Sequence, residues 1–184
     1  FQAAKMVLRG IRGFYDDNAE QVKHGRCNAK QSQPVPCVSL CPAHVDVPGY
    51  VSLIHEGRYA EAVQLIRKDN PFPAACGLIC EHPCELRCRR TMVDKAINIR
   101  GLKRYAVEHE GEIKVPKIMD KTGKKVAVVG GGPSGLSAAY YLSIMGHDVT
   151  VYEQRKQLGG MLRYGIPAYR LPREILNHEI DGLM

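Results

Sequence analysis

Seven cysteines fall between Cys27 and Cys88, and none follows. An odd number of thiols crowded into one stretch, with no legible secretion signal, is the pattern of metal ligands or redox groups in a reduced compartment rather than of a disulfide framework. Cys37 and Cys41 form C-x3-C followed by Pro42, the closing half of the bacterial ferredoxin run in which thiolates hold iron. The opening half is altered: Ala29 and Ser32 stand near where its first two cysteines would be, and Cys27 is the nearest thiol upstream. Cys76, Cys80, Cys84 and Cys88 then recur at every fourth position, with Gly77 and Pro83 among them. An unbroken helix would line them along one face, and Pro83 favours a partly turned segment instead. Either way the thiols converge. An iron-sulfur cluster needs such convergence, in a shell that excludes water and offers backbone N–H groups to the sulfurs. Cys27, Cys37, Cys41, Cys80, Cys84 and Cys88 are the candidate metal ligands. The bland alternative, a buried apolar thiol, is strongest for Cys76. Four-coordinate zinc is the other metal reading, and the C-x3-C-P ending favours iron over it.

The rest of the chain limits what surrounds these thiols. An apolar fraction of 45% with 24% charged residues suits a folded globular chain. No apolar run reaches the roughly 18 to 20 residues of a membrane span, and Phe1 to Gly13 is amphipathic with no small-residue cleavage site after it. The expected location is the cytoplasm. The net charge of +7 is spread along the chain without aromatic-basic stacking patterns, so it reads as a solvated surface that partly offsets an anionic cofactor, with no nucleic-acid partner.

Phe1, Ala4, Val7, Leu8 and Ile11 recur at helical spacing, and Asn28 to Pro36 reads as a loop. Two helices broken at Gly57 should follow Pro48 and end at Asp69-Asn70-Pro71, with a further helix over Ile99 to Glu108. Gly111 to Gly123 is polar and lysine-rich around Pro116. The expected division is therefore a helical cluster domain over residues 1–115 and the opening of an α/β Rossmann-type domain over 116–184.

Lys125 to Val129 reads as a short buried strand. Gly130-Gly131-Gly132-Pro133-Ser134-Gly135 follows at once and leads into an alanine-rich helix. This is G-x-G-x-x-G in its strand-turn-helix context. The first glycine permits the tight turn, the second admits a pyrophosphate to the backbone, and the third lets helix and strand pack, with the helix N-terminus facing the phosphates. His147 to Val151 reads as the second strand, and Glu153 comes just after it, where an acid can accept hydrogen bonds from ribose hydroxyls. Gly130, Gly132, Pro133, Ser134, Gly135 and Glu153 are the candidate nucleotide-binding residues.

Several motifs together resemble the glutamate synthase small-subunit family, whose cluster module also occurs in dihydropyrimidine dehydrogenase. They are Cys37-Val-Ser-Leu-Cys41-Pro42, Asn70-Pro71-Phe72-Pro73, Cys76-Gly77-Leu-Ile-Cys80, Pro83-Cys84-Glu85, Cys88 and Ile97 to Arg104. Gly159-Gly160-Met161-Leu-Arg163-Tyr-Gly165-Ile-Pro167 and Arg170-Leu-Pro172 extend the likeness along the stretch that lines FAD in that family. The resemblance implies FAD contacts from Gly160, Met161 and Arg170. It also implies two 4Fe-4S clusters with crossed ligation, Cys37 and Cys88 on one and Cys41, Cys80 and Cys84 on the other. Lys103 is a departure: relatives place a glutamine or glutamate ligand there, and a protonated lysine has no lone pair to give iron. One cluster, two clusters with unusual ligands, or none are the alternatives, with Cys27 as the substitute thiol.

The function implied is that of an NAD(P)H-dependent oxidoreductase, in which NAD(P)H reduces FAD and electrons pass through one or two 4Fe-4S clusters to a partner subunit or domain. The competing reading is a non-enzymatic electron-transfer or docking module. No side chain reads as a catalytic acid, base or nucleophile, and His44, His55, His82, His109 and His178 have no metal-site spacing. No second glycine fingerprint follows, and only two strands are legible, so the expectation is a piece of a longer protein.

Overall fold

The computed structural model describes residues 35–111, 116 and 118–184. The helix expected at Phe1 to Ile11, most of the loop from Asn28, and Cys27 lie outside the described residues.

The cysteine-bearing part is helical: α1 (Pro36–Ser39), α2 (Val47–His55), α3 (Tyr59–Arg67), α4 (Pro73–Ile79), α5 (Pro83–Leu86), a 3-10 turn at Arg89–Met92, and α6 (Ile99–Glu108). Prolines open α1, α2, α4 and α5. The first turn of a helix is where a fixed φ and a missing N–H are tolerated best. Asp46 caps α2 by accepting from the Gly49 N–H at 3.0 Å, and Asn98 caps α6 by accepting from the Gly101 N–H at 3.0 Å. The α2–α3 hairpin breaks at Gly57, as its sequence suggests, and closes with α6 over a core that includes Tyr50, Leu53, Val63, Ile66 and Ala106. Cys84 belongs to that core, and Cys37 and Cys41 pack on its edge. The thiols are thus carried on the rim of a dry, ordered cluster of helices.

The second part opens with β1 (Lys125–Val129), crosses through α7 (Pro133–Ile144), and returns as β2 (Asp148–Tyr152), parallel to β1 with Val126 opposite Val149 and Val128 opposite Val151. Two short helices follow, α8 (Gly160–Tyr164) and α9 (Arg173–Asp181). The expectation of a buried β1 is corrected. Exposure alternates along both strands, and Val129 is 88% exposed, because α7 packs on the strands while the outward row of side chains is left open. The polar stretch before β1 is tied down at its end, where Met119 N–H donates to the Ile144 carbonyl at 2.8 Å and Thr122 N–H to that of Gly146 at 3.0 Å.

A second core joins the two parts. Phe72 and Ala75, at the start of α4, are buried with Leu136 and Tyr140 of α7 and Leu176 and Ile180 of α9. Among the described residues no helix is long and apolar enough to cross a membrane.

Candidate functional site

The short helices set the thiol positions. α1 packs against α5, and α4 against α6. Cys80 is the C-terminal cap of α4, where the chain leaves helical geometry, and His82 turns it through a left-handed conformation (φ 44°) into α5. This break, required by Pro83, replaces the single helical face on which four evenly spaced cysteines could have lain.

Cys84 and Cys88 are buried, Cys37, Cys41, Cys76 and Cys80 are half-buried, and all six are free thiols. Burial pushes the Cys84 thiol up to about 11; Glu85 adds to this, the Lys103 ammonium opposes it, and Cys80 and Cys41 are its next charged neighbours. Burial likewise raises the Cys37 thiol, whose thiol neighbour is Cys88. Cys41, Cys80 and Cys84 are thus a group of neighbours, and Cys37, the neighbour of Cys88, lies close to the same group, since Cys84, Cys41 and Cys37 all act on Tyr50. Cys27 lies outside the described residues.

The surroundings of the first group suit an iron-sulfur cluster. His82 N–H donates to the Cys80 sulfur at 3.3 Å, a backbone donor of the kind that stabilises negative charge on cluster sulfur. The Arg100 guanidinium donates to the Cys80 carbonyl at 2.9 Å, and the Arg100 N–H to Glu85 Oε1 at 2.8 Å, which ties both ends of the turn to α6. Among the described residues no three His, Cys, Asp or Glu side chains close on a point that could hold a single metal ion. Lys103, 8% exposed, is a charged neighbour of both Cys76 and Cys84. The ring Nδ1 atoms of His44, His82 and His109 pair with the carbonyls of Val38, Cys80 and Tyr105, local roles that leave them outside the thiol set.

The glycine loop occupies the other part. Gly132 caps α7, with Pro133, Ser134 and Gly135 in the first turn, where N–H groups lack partners within the helix and face an incoming anion. A side chain at Gly135 would overlap the Gly130 carbonyl, so the tight crossing of β1 and α7 requires glycine there. Gly160 has φ 48°, and a Cβ on it would stand 2.7 Å from Gly132 Cα. The two glycine segments touch backbone to backbone, held by Gly159 N–H donating to the Gly131 carbonyl at 2.7 Å.

Glu153, at the end of β2, accepts from the N–H groups of Gly131 at 2.7 Å and Arg155 at 2.8 Å. These donors, that of Arg155 foremost, hold its carboxyl below the usual carboxylate range. Gly130, Gly132, Pro133, Ser134, Gly135, Glu153 and Gly160 thus come together. Met161 is 69% exposed beside them, and Arg170 sits exposed in the turn from Pro167 to Leu171, where no hydrogen bond or ion pair among the described residues ties its side chain to the loop. Sequence reasoning passed over Gly131 and Gly159, which cross-link the two glycine segments through their backbones. The triple glycine at 130–132 and the double glycine at 159–160 were the available signal.

Residues 6–115 match the family model of dihydropyrimidine dehydrogenase domain II, 4Fe-4S cluster. The chain belongs to this iron-sulfur family, shared by dihydropyrimidine dehydrogenase and the glutamate synthase small subunit. Residues 128–178 match the NAD(P)-binding Rossmann-like domain. Among curated relatives, the NADPH-Fe(3+) oxidoreductase subunit beta of Geobacter sulfurreducens (strain DL-1 / KN400) is 46% identical over 185 residues, covering 95% of this chain and 28% of its own length. The NADP(+)-dependent formate dehydrogenase subunit beta of Moorella thermoacetica is 41% identical, covering 80% of this chain and 24% of its own length. The glutamate synthase [NADPH] small chain of Bacillus subtilis (strain 168) is 40% identical, covering 79% of this chain and 30% of its own length. The chain thus spans less than a third of each of these relatives. The family is one of oxidoreductases that combine an iron-sulfur module with an NAD(P)-binding Rossmann-like one.

Proposed function

We propose that this chain is the cluster-bearing front part of an NAD(P)H-dependent flavin and iron-sulfur oxidoreductase that delivers electrons to a partner subunit or domain. When bound, FAD would accept hydride from NAD(P)H and release single electrons to one or two 4Fe-4S clusters, chemistry that belongs to the cofactors themselves. The chain's own residues hold and tune these groups. Cys41, Cys80 and Cys84 would ligate one cluster, with His82 N–H directed at the Cys80 sulfur; Cys37 and Cys88 would contribute to the other, with Cys27 as its added thiol. Gly130, Gly132, Pro133, Ser134, Gly135 and Gly160 would cradle the FAD pyrophosphate, Glu153 would take the ribose, and Met161 and Arg170 would lie along the nucleotide from the exposed side. The division proposed is a cluster domain over 1–115 and an FAD-binding opening over 116–184, in a protein that works in the cytoplasm.

The observation that carries this reading is the shared core. The helix that ends at Cys80 begins with Phe72 and Ala75 buried against α7 and α9 of the nucleotide-binding part, so one short rigid element connects the thiol rim to the dinucleotide cradle. The names of relatives, a subunit beta in two cases and a small chain in a third, support a partner that receives the electrons.

Anaerobically purified full-length protein tests the proposal. Iron, acid-labile sulfide and flavin should all be present, and NAD(P)H should bleach flavin bands at about 370 and 450 nm. Iron-sulfur absorption without flavin would favour a docking or electron-transfer module, and absence of iron and sulfide would remove the cluster assignment.

A further inference from the structure

One stretch of the helical part turns its apolar side chains outward together. Between the end of α5 and the start of α6, Leu86, Met92 and Val93 are 79%, 85% and 81% exposed, and Ile97 is exposed as well. Exposed apolar residues scattered singly need no explanation, but several in one short stretch mark a contact surface. Arg87, Arg89, Arg90 and Lys95 are exposed among them. Resting on the reading above that electrons leave for a partner subunit or domain, we propose that residues 86–97 are the surface on which that partner docks, through an acidic face with an apolar centre.

The stretch is shaped by bonds to itself. Cys88 N–H donates to the Glu85 carbonyl at 3.2 Å, and the Thr91 hydroxyl to the Cys88 carbonyl at 2.6 Å. The Val93 and Asp94 N–H groups both donate to the Arg90 carbonyl, at 2.9 and 3.0 Å, and the Arg90 guanidinium donates twice to the Asp94 carboxylate, at 2.5 and 2.7 Å. Buried Cys88 and Ile99 anchor it to the helical part. Met92 and Val93 are therefore carried outward on a formed turn, and a partner has little backbone left to order on docking.

Charge selects the occupant. Asp94 is the one carboxylate between 86 and 97, and Arg90 already holds it. Among the described residues no carboxylate pairs with Arg87, Arg89 or Lys95, so positive charge surrounds the apolar side chains uncompensated. Residues 1–34 carry more basic than acidic side chains, and a second copy of the chain brings the same net charge of +7, so both would be repelled. An acidic protein face meets both needs, with carboxylates for the guanidinium forks and an apolar centre for Leu86, Met92 and Val93. An anionic bilayer would meet the charge, but the 3-10 turn at Arg89–Met92 is too short to lay an amphipathic face into one. The position also suits electron delivery. Electron passage falls steeply with distance, and a partner seated here lies beside Cys88, one of the thiols proposed to hold a cluster.

The test compares the native complex, isolated anaerobically through a tag on the full-length protein in its own cells, with the full-length protein expressed alone. Amide hydrogens of residues 89–97 should exchange about tenfold or more slowly in the complex. A carbodiimide should join Lys95 to an aspartate or glutamate of the partner. Met92→Asp with Val93→Asp should weaken the complex about a hundredfold. Arg87→Glu with Lys95→Glu should slow association about tenfold and flatten its dependence on salt. Both double variants should keep the iron, the flavin and the NAD(P)H-dependent reduction of ferricyanide of wild type. A partner that binds while residues 89–97 exchange freely and both variants bind as tightly as wild type would overturn the docking surface and leave the partner reading intact. Three other results would do the same: protection of the stretch in the protein alone, self-association that Met92→Asp with Val93→Asp abolishes, or binding to phosphatidylcholine–phosphatidylserine vesicles that this variant loses. A protein that reduces ferricyanide but isolates without any partner would overturn both.

Discussion

Glu179 is a carboxylate 4% exposed, whose oxygens accept from the N–H groups of Ala74 at 2.5 Å and Ala75 at 2.9 Å at the start of α4. Burial pushes its carboxyl up to about 7; the two N–H donors and Arg67 oppose the rise, and Glu110 adds to it. A raised carboxylate means that the folded state holds the proton more tightly than the unfolded one, so stability is fullest below the ordinary value near 4.5 and falls as pH rises toward 7. Ionising the group in place costs on the order of 3 kcal/mol. Denaturation midpoints measured between pH 5 and 8 should show this decline in wild type and a flatter profile in Glu179→Gln. The thiols make a second case. With the cluster removed, the Cys84 thiol, raised to about 11 from 9.0, should be alkylated by iodoacetamide at pH 8 about a hundredfold more slowly than an ordinary thiol. Mass spectrometry of the modified peptides reads that rate directly.

At the scale of elements, local chemistry was enough where the signal was local. α6 runs over Ile99–Glu108 and β1 over Lys125–Val129, the spans that periodicity and the glycine turn indicate. Prolines mark the starts of α4 and α5 because the first helical turn is where proline fits. What escaped depends on partners far along the chain. Glu179 caps backbone N–H groups more than a hundred positions away, and the setting of Cys76 is made by Asn70 and by Lys103 on another helix. The open outer face of β1 escaped too, because a short apolar run does not reveal which of its faces a helix will cover. The β1–α7 crossing gives the sharpest test at this scale. Gly135→Val would drive a side chain into the Gly130 carbonyl, displace the loop, and cost about 2–4 kcal/mol. Flavin content of the purified variant should fall to background while its iron content stays near that of wild type, since Cys37, Cys41 and Cys84 lie in or against the other core.

For the whole molecule, the question is whether the thiol part and the dinucleotide part hold together as one unit. Three kinds of contact cross between them. Phe72 and Ala75 are buried with Leu136, Tyr140, Leu176 and Ile180; Glu179 caps α4 from α9; and the Tyr141 hydroxyl donates to the carbonyls of Arg67 at 3.3 Å and Lys68 at 3.2 Å. Arg67 is itself anchored in the helical part by paired bonds to Glu110 at 3.2 and 3.3 Å, so the tyrosine grips a fixed point. Apolar burial supplies most of the coupling and the polar contacts fix its geometry. Tyr141→Phe should therefore cost only about 1 kcal/mol. Leu176→Ala, which hollows the shared core, should cost about 2–5 kcal/mol. The diagnostic feature is which probe reports the loss. If the core couples the two parts, Leu176→Ala lowers the unfolding midpoint seen by cluster absorbance and that seen by flavin fluorescence by the same amount, because a cooperative unit gives coincident transitions. A flavin midpoint that falls alone would mean that the thiol rim stands without the dinucleotide part, and that α4 carries no mechanical link between the two cofactors.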